Sequence, residues 1–238
     1  MVTTSVAMMK VMEERGIHAD VAAGLSLGEY CALVAAGVMT ADDAIRTVRE
    51  RGILMQEAVP VGVGGMSAVL GMTADEINAV VDEIPNVQVA NYNCPGQIVI
   101  SGLKEAVETA AVKLKEAGAR RVIPLNVSGP FHSYLLEEAG EKLGRFLENI
   151  PVSEPKIPYV ANVTAAYVTK AEDVKPLLTR QVSSSVRWQQ SVETMLADGV
   201  DRFIEIGPGK TLAGFIRKIN REATVINIEK FEDLEKLN

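Results

Sequence analysis

Apolar residues in this chain occur in two alternating patterns: short uninterrupted runs, and longer stretches in which they recur every three or four positions. The short runs predict buried strands, and the longer stretches predict amphipathic helices. The pattern predicts a helix over 4–15, a strand over 19–23, a helix over 29–37 and a helix from 41 to about 58, where Thr40 and Asp43 form a capping-box pattern. This alternation is typical of an α/β fold with a mainly parallel sheet.

The pattern changes after the Pro- and Gly-rich segment 59–65. Residues 66–125 are predicted to form strand, helix, strand, strand, helix and strand, with a turn at 94–96. This order is that of the ferredoxin-like unit. We therefore predict a ferredoxin-like subdomain over 62–125, inserted into an α/β-hydrolase-like core made of 1–61 and 126–238. In the second part of the core we expect helices at 135–149 and 192–198, strands at 157–161 and 202–206, and a further helix after Gly209.

Composition and net charge argue against membrane-spanning, nucleic-acid-binding and disulfide-rich proteins. The chain has 238 residues, of which 47% are hydrophobic, enough for one substantial core and a small second domain. Its apolar runs are far shorter than the ~18 residues that a membrane span needs. A net charge of −7 without a basic stripe argues against a nucleic-acid partner. Cys31 and Cys94 are too few for a disulfide framework, and no secretion signal precedes them, so we expect free thiols in the cytoplasm.

The candidate nucleophile is Ser26, in the run Gly24-Leu25-Ser26-Leu27-Gly28. The run lies between a predicted strand and a predicted helix, which is the context of a nucleophile elbow. The serine would then stand at the N-terminus of the helix, where the Leu27 N–H could stabilise an oxyanion. The alternative is a simple turn that joins strand to helix.

A catalytic serine needs a base, and the chain has two histidines. His18 lies in the polar turn before the strand of the elbow, at the end away from Ser26, and is predicted to be on the surface. His132 lies in a loop between a strand and a helix, at the sheet edge where such loops gather. His132 is therefore the candidate base, either in a Ser–His dyad oriented by a backbone carbonyl or in a triad.

Arg51 is the arginine of the 41–58 helix nearest to its predicted apolar stripe, which runs through Ala41, Ile45, Val48, Gly52 and Met55. A buried guanidinium needs an anion. That anion is either a substrate carboxylate or an internal Asp or Glu, unless the side chain extends to water. Helical spacing alone favours the internal partner or water.

Several motifs together resemble the malonyl-CoA:acyl carrier protein transacylases along the whole chain. They are Gly24-Leu25-Ser26-Leu27-Gly28-Glu29-Tyr30, Arg51-Gly52-x-x-Met55-Gln56, Asn91-x-Asn93-x-Pro95-x-Gln97, Gly129-Pro130-Phe131-His132-Ser133 and Glu205-x-Gly207-Pro208-Gly209. The resemblance implies transfer of malonyl from malonyl-CoA through malonyl-Ser26 to the phosphopantetheine thiol of acyl carrier protein, in fatty acid synthesis. It implies no metal and no cofactor, since coenzyme A is part of the substrate.

The resemblance also implies roles for individual residues. His132 becomes the base, Gln181 supplies the main-chain carbonyl that orients it, and Arg51 binds the malonyl carboxylate. Met55 and Phe131 join Arg51 in binding the substrate.

The chain departs from the family pattern in two places. Leu25 stands where the family usually has His, and the family's N-terminal strand with its Gly-Gln-Gly-x-Gln loop is absent. That loop supplies a second oxyanion donor, so we expect slower catalysis and an exposed sheet edge. The alternatives are a serine acyl hydrolase, or a truncated form of the transacylase that is poorly active or non-catalytic.

Overall fold

The computed structural model describes residues 1–237. The α-helices in this range are α1 (Val2–Glu14), α2 (Gly28–Ala35), α3 (Ala41–Ala58), α4 (Ala74–Val81), α5 (Lys104–Glu116), α6 (Glu137–Glu148), α7 (Ala171–Gln181), α8 (Trp188–Ala197) and α9 (Thr211–Ile219). The strands are β1 (Ala22–Ala23), β2 (Gly64–Leu70), β3 (Val87–Cys94), β4 (Gln97–Leu103), β5 (Arg121–Pro124), β6 (Tyr159–Val160), β7 (Tyr167–Val168), β8 (Arg202–Ile206) and β9 (Thr224–Ile228). Short 3₁₀ helices occur at Tyr134–Leu136 and Phe231–Leu237.

The strands form three sheets, and this corrects the expectation of one mainly parallel sheet. β1 runs parallel to β6, β6 antiparallel to β7, and β8 parallel to β9. The largest sheet, in the order β3-β4-β2-β5, is antiparallel throughout. The predicted α/β class is confirmed, but the parallel pairs are divided between two short sheets.

The two short sheets are separated by a cleft of about 1350 Å³. β1 and β8 both line it, together with residues of α1 and with Asn91 and Asn93. Within residues 1–237, β1 hydrogen-bonds to β6 on one edge and to no strand on the other. The strands β1 and β8 thus lie on the same cleft without pairing with each other.

Residues 64–124 form a four-stranded layer with α4 and α5 on one face. Apolar residues of the strands and the two helices make a separate cluster there: Val69, Ile77, Ile98, Ile100, Leu114 and Val122. α4 begins with a full capping box between Thr73 and Glu76. The opposite face of the sheet, with Met66 and Val99, packs against Leu125 and Phe131. Through this second face the sheet packs against the rest of the molecule.

The core beside the elbow is formed by α2, α3, α6, α7 and β6 around buried residues such as Tyr30, Leu143 and Leu178. The buried face of α3 differs from the predicted one, because Ala44, Thr47, Arg51 and Met55 are buried while Gly52 is exposed. The face is rotated by about one residue, or ~100°. Arg51 therefore lies at its centre. None of the helices within 1–237 combines the length and apolarity that crossing a bilayer requires.

Candidate active site

Ser26 lies in the sharp turn between β1 and α2, with a φ of 52° in the left-handed region that non-glycine residues rarely adopt. The turn brings Gly24 so close to the Gly28 carbonyl that a Cβ on Gly24 would collide with it. A Cβ on Gly28 would meet no atom within 4 Å. Of the two glycines of the motif, Gly24 is thus the one that the tight turn requires.

Asn162 fixes the turn from the segment after β6. Its side-chain oxygen accepts a hydrogen bond from the Ser26 N–H at 2.5 Å, and its side-chain nitrogen donates to the Gly24 carbonyl at 2.7 Å. Asn162 is buried. One side chain therefore satisfies two backbone groups of the elbow and stabilises the unusual Ser26 conformation.

His132 is 3% exposed and lies against Ser26, with Nε2 2.7 Å from Ser26 Oγ. Its Nδ1 lies 2.8 Å from the main-chain carbonyl oxygen of Gln181. A carbonyl can only accept, so Nδ1 carries the proton and Nε2 is the free acceptor for the serine hydroxyl. Burial, with a further contribution from the charge of Arg51, lowers the pKa of His132 to about 4. The imidazole is therefore neutral at pH 7, as a general base must be.

Arg51 is 6% exposed and joins the same cluster from α3. Its Nη2 donates to Ser26 Oγ at 2.9 Å and to the side-chain oxygen of Gln181 at 3.3 Å. Its guanidinium lies 6.0 Å from the centre of the Tyr30 ring. Its Nε is buried without a hydrogen-bond partner in residues 1–237, and no carboxylate of that range forms a salt bridge with it. Among the described residues, the site thus presents a cationic donor without a carboxylate in direct contact, beside the Ser26 hydroxyl.

The other predicted site residues lie at different distances from this cluster. The Leu27 N–H makes no hydrogen bond among the described residues, so it is available to an oxyanion. Met55 is buried in the core one turn after Arg51, and Phe131 packs between that core and the face of the antiparallel sheet. Their roles in binding substrate stay predictions. His18, predicted to be on the surface, is exposed.

Three polar residues around the site were not predicted as functional. Besides Asn162 they are Glu29, which is fully buried and accepts a hydrogen bond from Gln181 Nε2 at 2.6 Å, and Gln88 of β3. The Gln88 amide donates to the carbonyls of His132 and Ser183, and its oxygen accepts from the Tyr134 N–H. Glu29 belongs to the elbow motif, and Asn162 follows a predicted strand. Neither local pattern indicates the contact of Glu29 with Gln181 or that of Asn162 with Ser26, because each joins residues more than a hundred positions apart.

The arrangement is suited to acyl transfer. A serine hydroxyl has a neutral base on one side and a cationic donor on the other, and a helix N-terminus lies beneath it. Among residues 1–237 no three His, Cys, Asp or Glu side chains are grouped as metal ligands would be. The contacts of Ser26 Oγ with His132 and Arg51 are those that a serine nucleophile would use.

Comparison with known proteins agrees with this geometry. The family model described as "Acyl transferase domain" matches residues 1–231. The malonyl CoA-acyl carrier protein transacylase of Bacillus subtilis is 47% identical over 239 residues, covering 99% of this chain and 75% of the relative.

Two solved structures are also closely similar. The crystal structure of an acyl carrier protein S-malonyltransferase from Vibrio cholerae superposes with a TM-score of 0.97 at 40% identity, covering 100% of this chain and 79% of that one. A malonyl-transacylase in complex with a type II PKS acyl-carrier protein gives a TM-score of 0.96 at 41% identity, covering 99% and 77%. The chain belongs to the acyl transferase family, within its group of malonyl-CoA:acyl carrier protein transacylases.

Proposed function

We propose that this chain transfers the malonyl group of malonyl-CoA to the phosphopantetheine thiol of an acyl carrier protein, through a malonyl-serine at Ser26. The observation that carries the proposal is the double contact of Ser26 Oγ, 2.7 Å from His132 Nε2 and 2.9 Å from Arg51 Nη2. The names of the relatives favour transfer over the hydrolysis that the elbow alone would allow.

In the first half-reaction Ser26 Oγ attacks the thioester carbonyl while its proton moves to His132 Nε2. The Leu27 N–H and the N-terminus of α2 stabilise the oxyanion. The C–S bond then breaks, and the coenzyme A sulfur leaves with the proton from His132. The product is malonyl-Ser26, with the imidazole neutral again and Nδ1 still donating to the Gln181 carbonyl.

In the second half-reaction the carrier thiol gives its proton to His132 Nε2 and attacks the malonyl-Ser26 ester. The C–O bond breaks, and Ser26 Oγ recovers its proton from the imidazole. Nucleophile and base both come from the chain, and coenzyme A enters as part of the substrate, so the proposed cycle uses neither metal nor cofactor.

Arg51 gives this cycle its preference for malonyl. Its buried Nε has no partner in the part of the chain that the structure describes, and a carboxylate accepts two parallel N–H bonds from a guanidinium. A neutral acyl group has no carboxylate that could accept these two bonds from the arginine. A buried guanidinium that no carboxylate of residues 1–237 contacts directly thus favours a malonyl-specific enzyme over a general acyl hydrolase.

The architecture fits an α/β-hydrolase-like core over 1–61 and 126–238, with a ferredoxin-like insert over 62–125. The insert's strand order β3-β4-β2-β5, with α4 and α5 as its crossovers, supports the second assignment. The parallel pairs β1/β6 and β8/β9 support the first. We place the enzyme in the cytoplasm, where the thiols of Cys31 and Cys94, which are free in the structure, would stay reduced.

The test is to incubate the protein with malonyl-CoA and map the acylated peptide by mass spectrometry. We expect a malonyl adduct on Ser26 and its loss in Ser26→Ala. Arg51→Ala should reduce malonyl transfer strongly while acetyl-CoA turnover is unchanged or higher, because acetyl lacks the carboxylate. An adduct on another residue, or release of free malonate in place of transfer to the carrier, would contradict the proposal.

A further inference from the structure

Glu29 is a buried carboxyl group directly behind the nucleophile. It lies at the start of α2, three residues after Ser26, and is 0% exposed. Its Oε2 accepts from Gln181 Nε2 at 2.6 Å and from the Asn162 N–H at 3.3 Å. Its Oε1 is buried without a hydrogen-bond partner in residues 1–237. Burying a carboxyl group with one oxygen unpaired costs free energy of folding. Its burial beside Ser26 therefore indicates a function for Glu29 at this site.

The Gln181 side chain connects Glu29 to Arg51. Its amide nitrogen donates to Glu29 Oε2 and, at 3.0 Å, to the Ser26 carbonyl. Its amide oxygen accepts from Arg51 Nη2 at 3.3 Å. A guanidinium can only donate and a carboxylate can only accept, so these two groups fix which way the amide points. Arg51, Gln181 and Glu29 therefore form a line from cation through amide to carboxylate.

We propose that Glu29 is a positioning residue whose carboxylate is the internal counter-charge of Arg51 in the free enzyme. When the malonyl carboxylate binds Arg51, it replaces Glu29 in that role, and Glu29 takes up a proton. The inference rests on the proposed role of Arg51 as the partner of the malonyl carboxylate.

The electrostatics of the site allow this exchange near neutral pH. Burial raises the pKa of Glu29 to about 7, against the opposing effects of its two hydrogen bonds and of the Arg51 charge. A ligand carboxylate that neutralises Arg51 removes one of those opposing effects. The pKa of Glu29 then rises further, and a fraction of the molecules that held an ionised Glu29 must bind a proton.

The other titratable groups that face Glu29 keep their charge state over this range. Tyr30 of the same helix and Tyr159 of β6 both have a pKa raised by burial, so both stay neutral. Burial lowers the pKa of Arg51 of α3, and its contacts with Ser26 and Gln181 keep it a donor. Glu29 is therefore the group in this cluster that titrates between pH 6 and 8.

The experiment measures proton uptake on ligand binding in the Ser26→Ala background, which cannot form the acyl-enzyme. Malonyl-CoA is titrated calorimetrically near pH 7 in buffers of different ionisation enthalpy. We expect a net uptake of up to about half a proton near pH 7 for malonyl-CoA and none for acetyl-CoA, together with an affinity for malonyl-CoA that rises several-fold as pH falls from 8.5 to 6. Glu29→Gln should abolish the uptake and the pH dependence, whereas the exposed Glu57→Gln should preserve both.

Either of two results would overturn the inference. Uptake that persists in Glu29→Gln assigns the proton to another group, and equal uptake with acetyl-CoA removes the link to the carboxylate. If Glu29→Gln does not fold, the comparison of malonyl-CoA with acetyl-CoA in the parent background decides alone. Arg51→Ala separates the two proposals: unchanged malonyl-CoA affinity there would refute the role of Arg51, whereas lost affinity with uptake persisting in Glu29→Gln would refute that of Glu29 only.

Discussion

Asn162→Ala is the substitution that most directly tests how the elbow is held. It removes the acceptor of the Ser26 N–H and the donor to the Gly24 carbonyl, at a residue that is buried. Each buried backbone group left without a partner costs about 1–3 kcal/mol, so we expect a loss of about 2–4 kcal/mol after partial relaxation. For a chain of this length that corresponds to a fall in Tm of roughly 4–16 °C.

The same substitution should also slow the chemistry. Ser26 is held at a φ of 52°, and without Asn162 the turn can relax toward ordinary backbone geometry. A displacement of the nucleophile by about 1 Å can cost about 10²-fold in rate. The assay is single-turnover acylation by malonyl-CoA, beside a thermal melt of the same sample.

Two further variants make this test specific. Asn220→Ala removes the hydrogen bond that the Asn220 side chain accepts from the Glu222 N–H, in the exposed turn between α9 and β9, and should leave the acylation rate unchanged. Asn162→Asp retains an acceptor for the Ser26 N–H but loses the donor to Gly24, so its effect should be intermediate. If the Asn162→Ala protein has the Tm and acylation rate of the parent, the elbow keeps its conformation without Asn162, and the prediction is wrong.

Three other predictions follow from the site. Gly24→Ala should prevent folding or abolish activity, whereas Gly28→Ala should be tolerated, because only the first Cβ collides with backbone; soluble yield and transfer rate measure both. Gln88→Ala should slow acylation about 10- to 100-fold with little change in KM, since the His132 loop loses a support; an unchanged kcat would refute this. Acylation by acetyl-CoA, which leaves the Arg51 charge in place, should stay constant from pH 7 down to about pH 5 and fall as the pH passes about 4, because protonated His132 cannot accept the serine proton; a fall centred near pH 6.5 would show an unperturbed histidine.

The elements with strong local signals could be predicted from the sequence. The strand expected at 202–206 is β8, and the six elements expected over 66–125 all form. Each has a dense apolar pattern bounded by turn residues or a cap, and such signals depend only on neighbours in the chain. β7, α7 and β9 were not predicted. β7 has only two residues, and α7 contains Pro176, which weakens a helical pattern.

His132 could be predicted as the partner of Ser26, although it lies 106 positions later, because both follow strands at the same sheet edge. The rest of the polar interior could not be predicted, because its contacts join distant parts of the chain without a local signal. Ser26 meets Asn162 136 positions later, and Glu29 meets Gln181 152 positions later. The rotated face of α3 has the same cause. Thr47 and Arg51 are buried there because Thr47 bonds the Asp43 carbonyl and Arg51 bonds Ser26, whereas an apolar stripe assigns such residues to the surface.

Contacts of the same kind also connect the antiparallel sheet to the candidate site. Gln88 of β3 holds the main chain on both sides of His132, at the His132 carbonyl and the Tyr134 N–H. The neighbouring residues of β3 pair with Val186, through the Val186 N–H to Ala90 and the Tyr92 N–H to Val186. Val186 lies five residues after Gln181, whose carbonyl accepts from His132 Nδ1. The antiparallel sheet thus supports both the loop that carries His132 and the segment that follows the Gln181 carbonyl. A change in the packing of this sheet should therefore alter kcat even where it leaves every group that touches substrate in place.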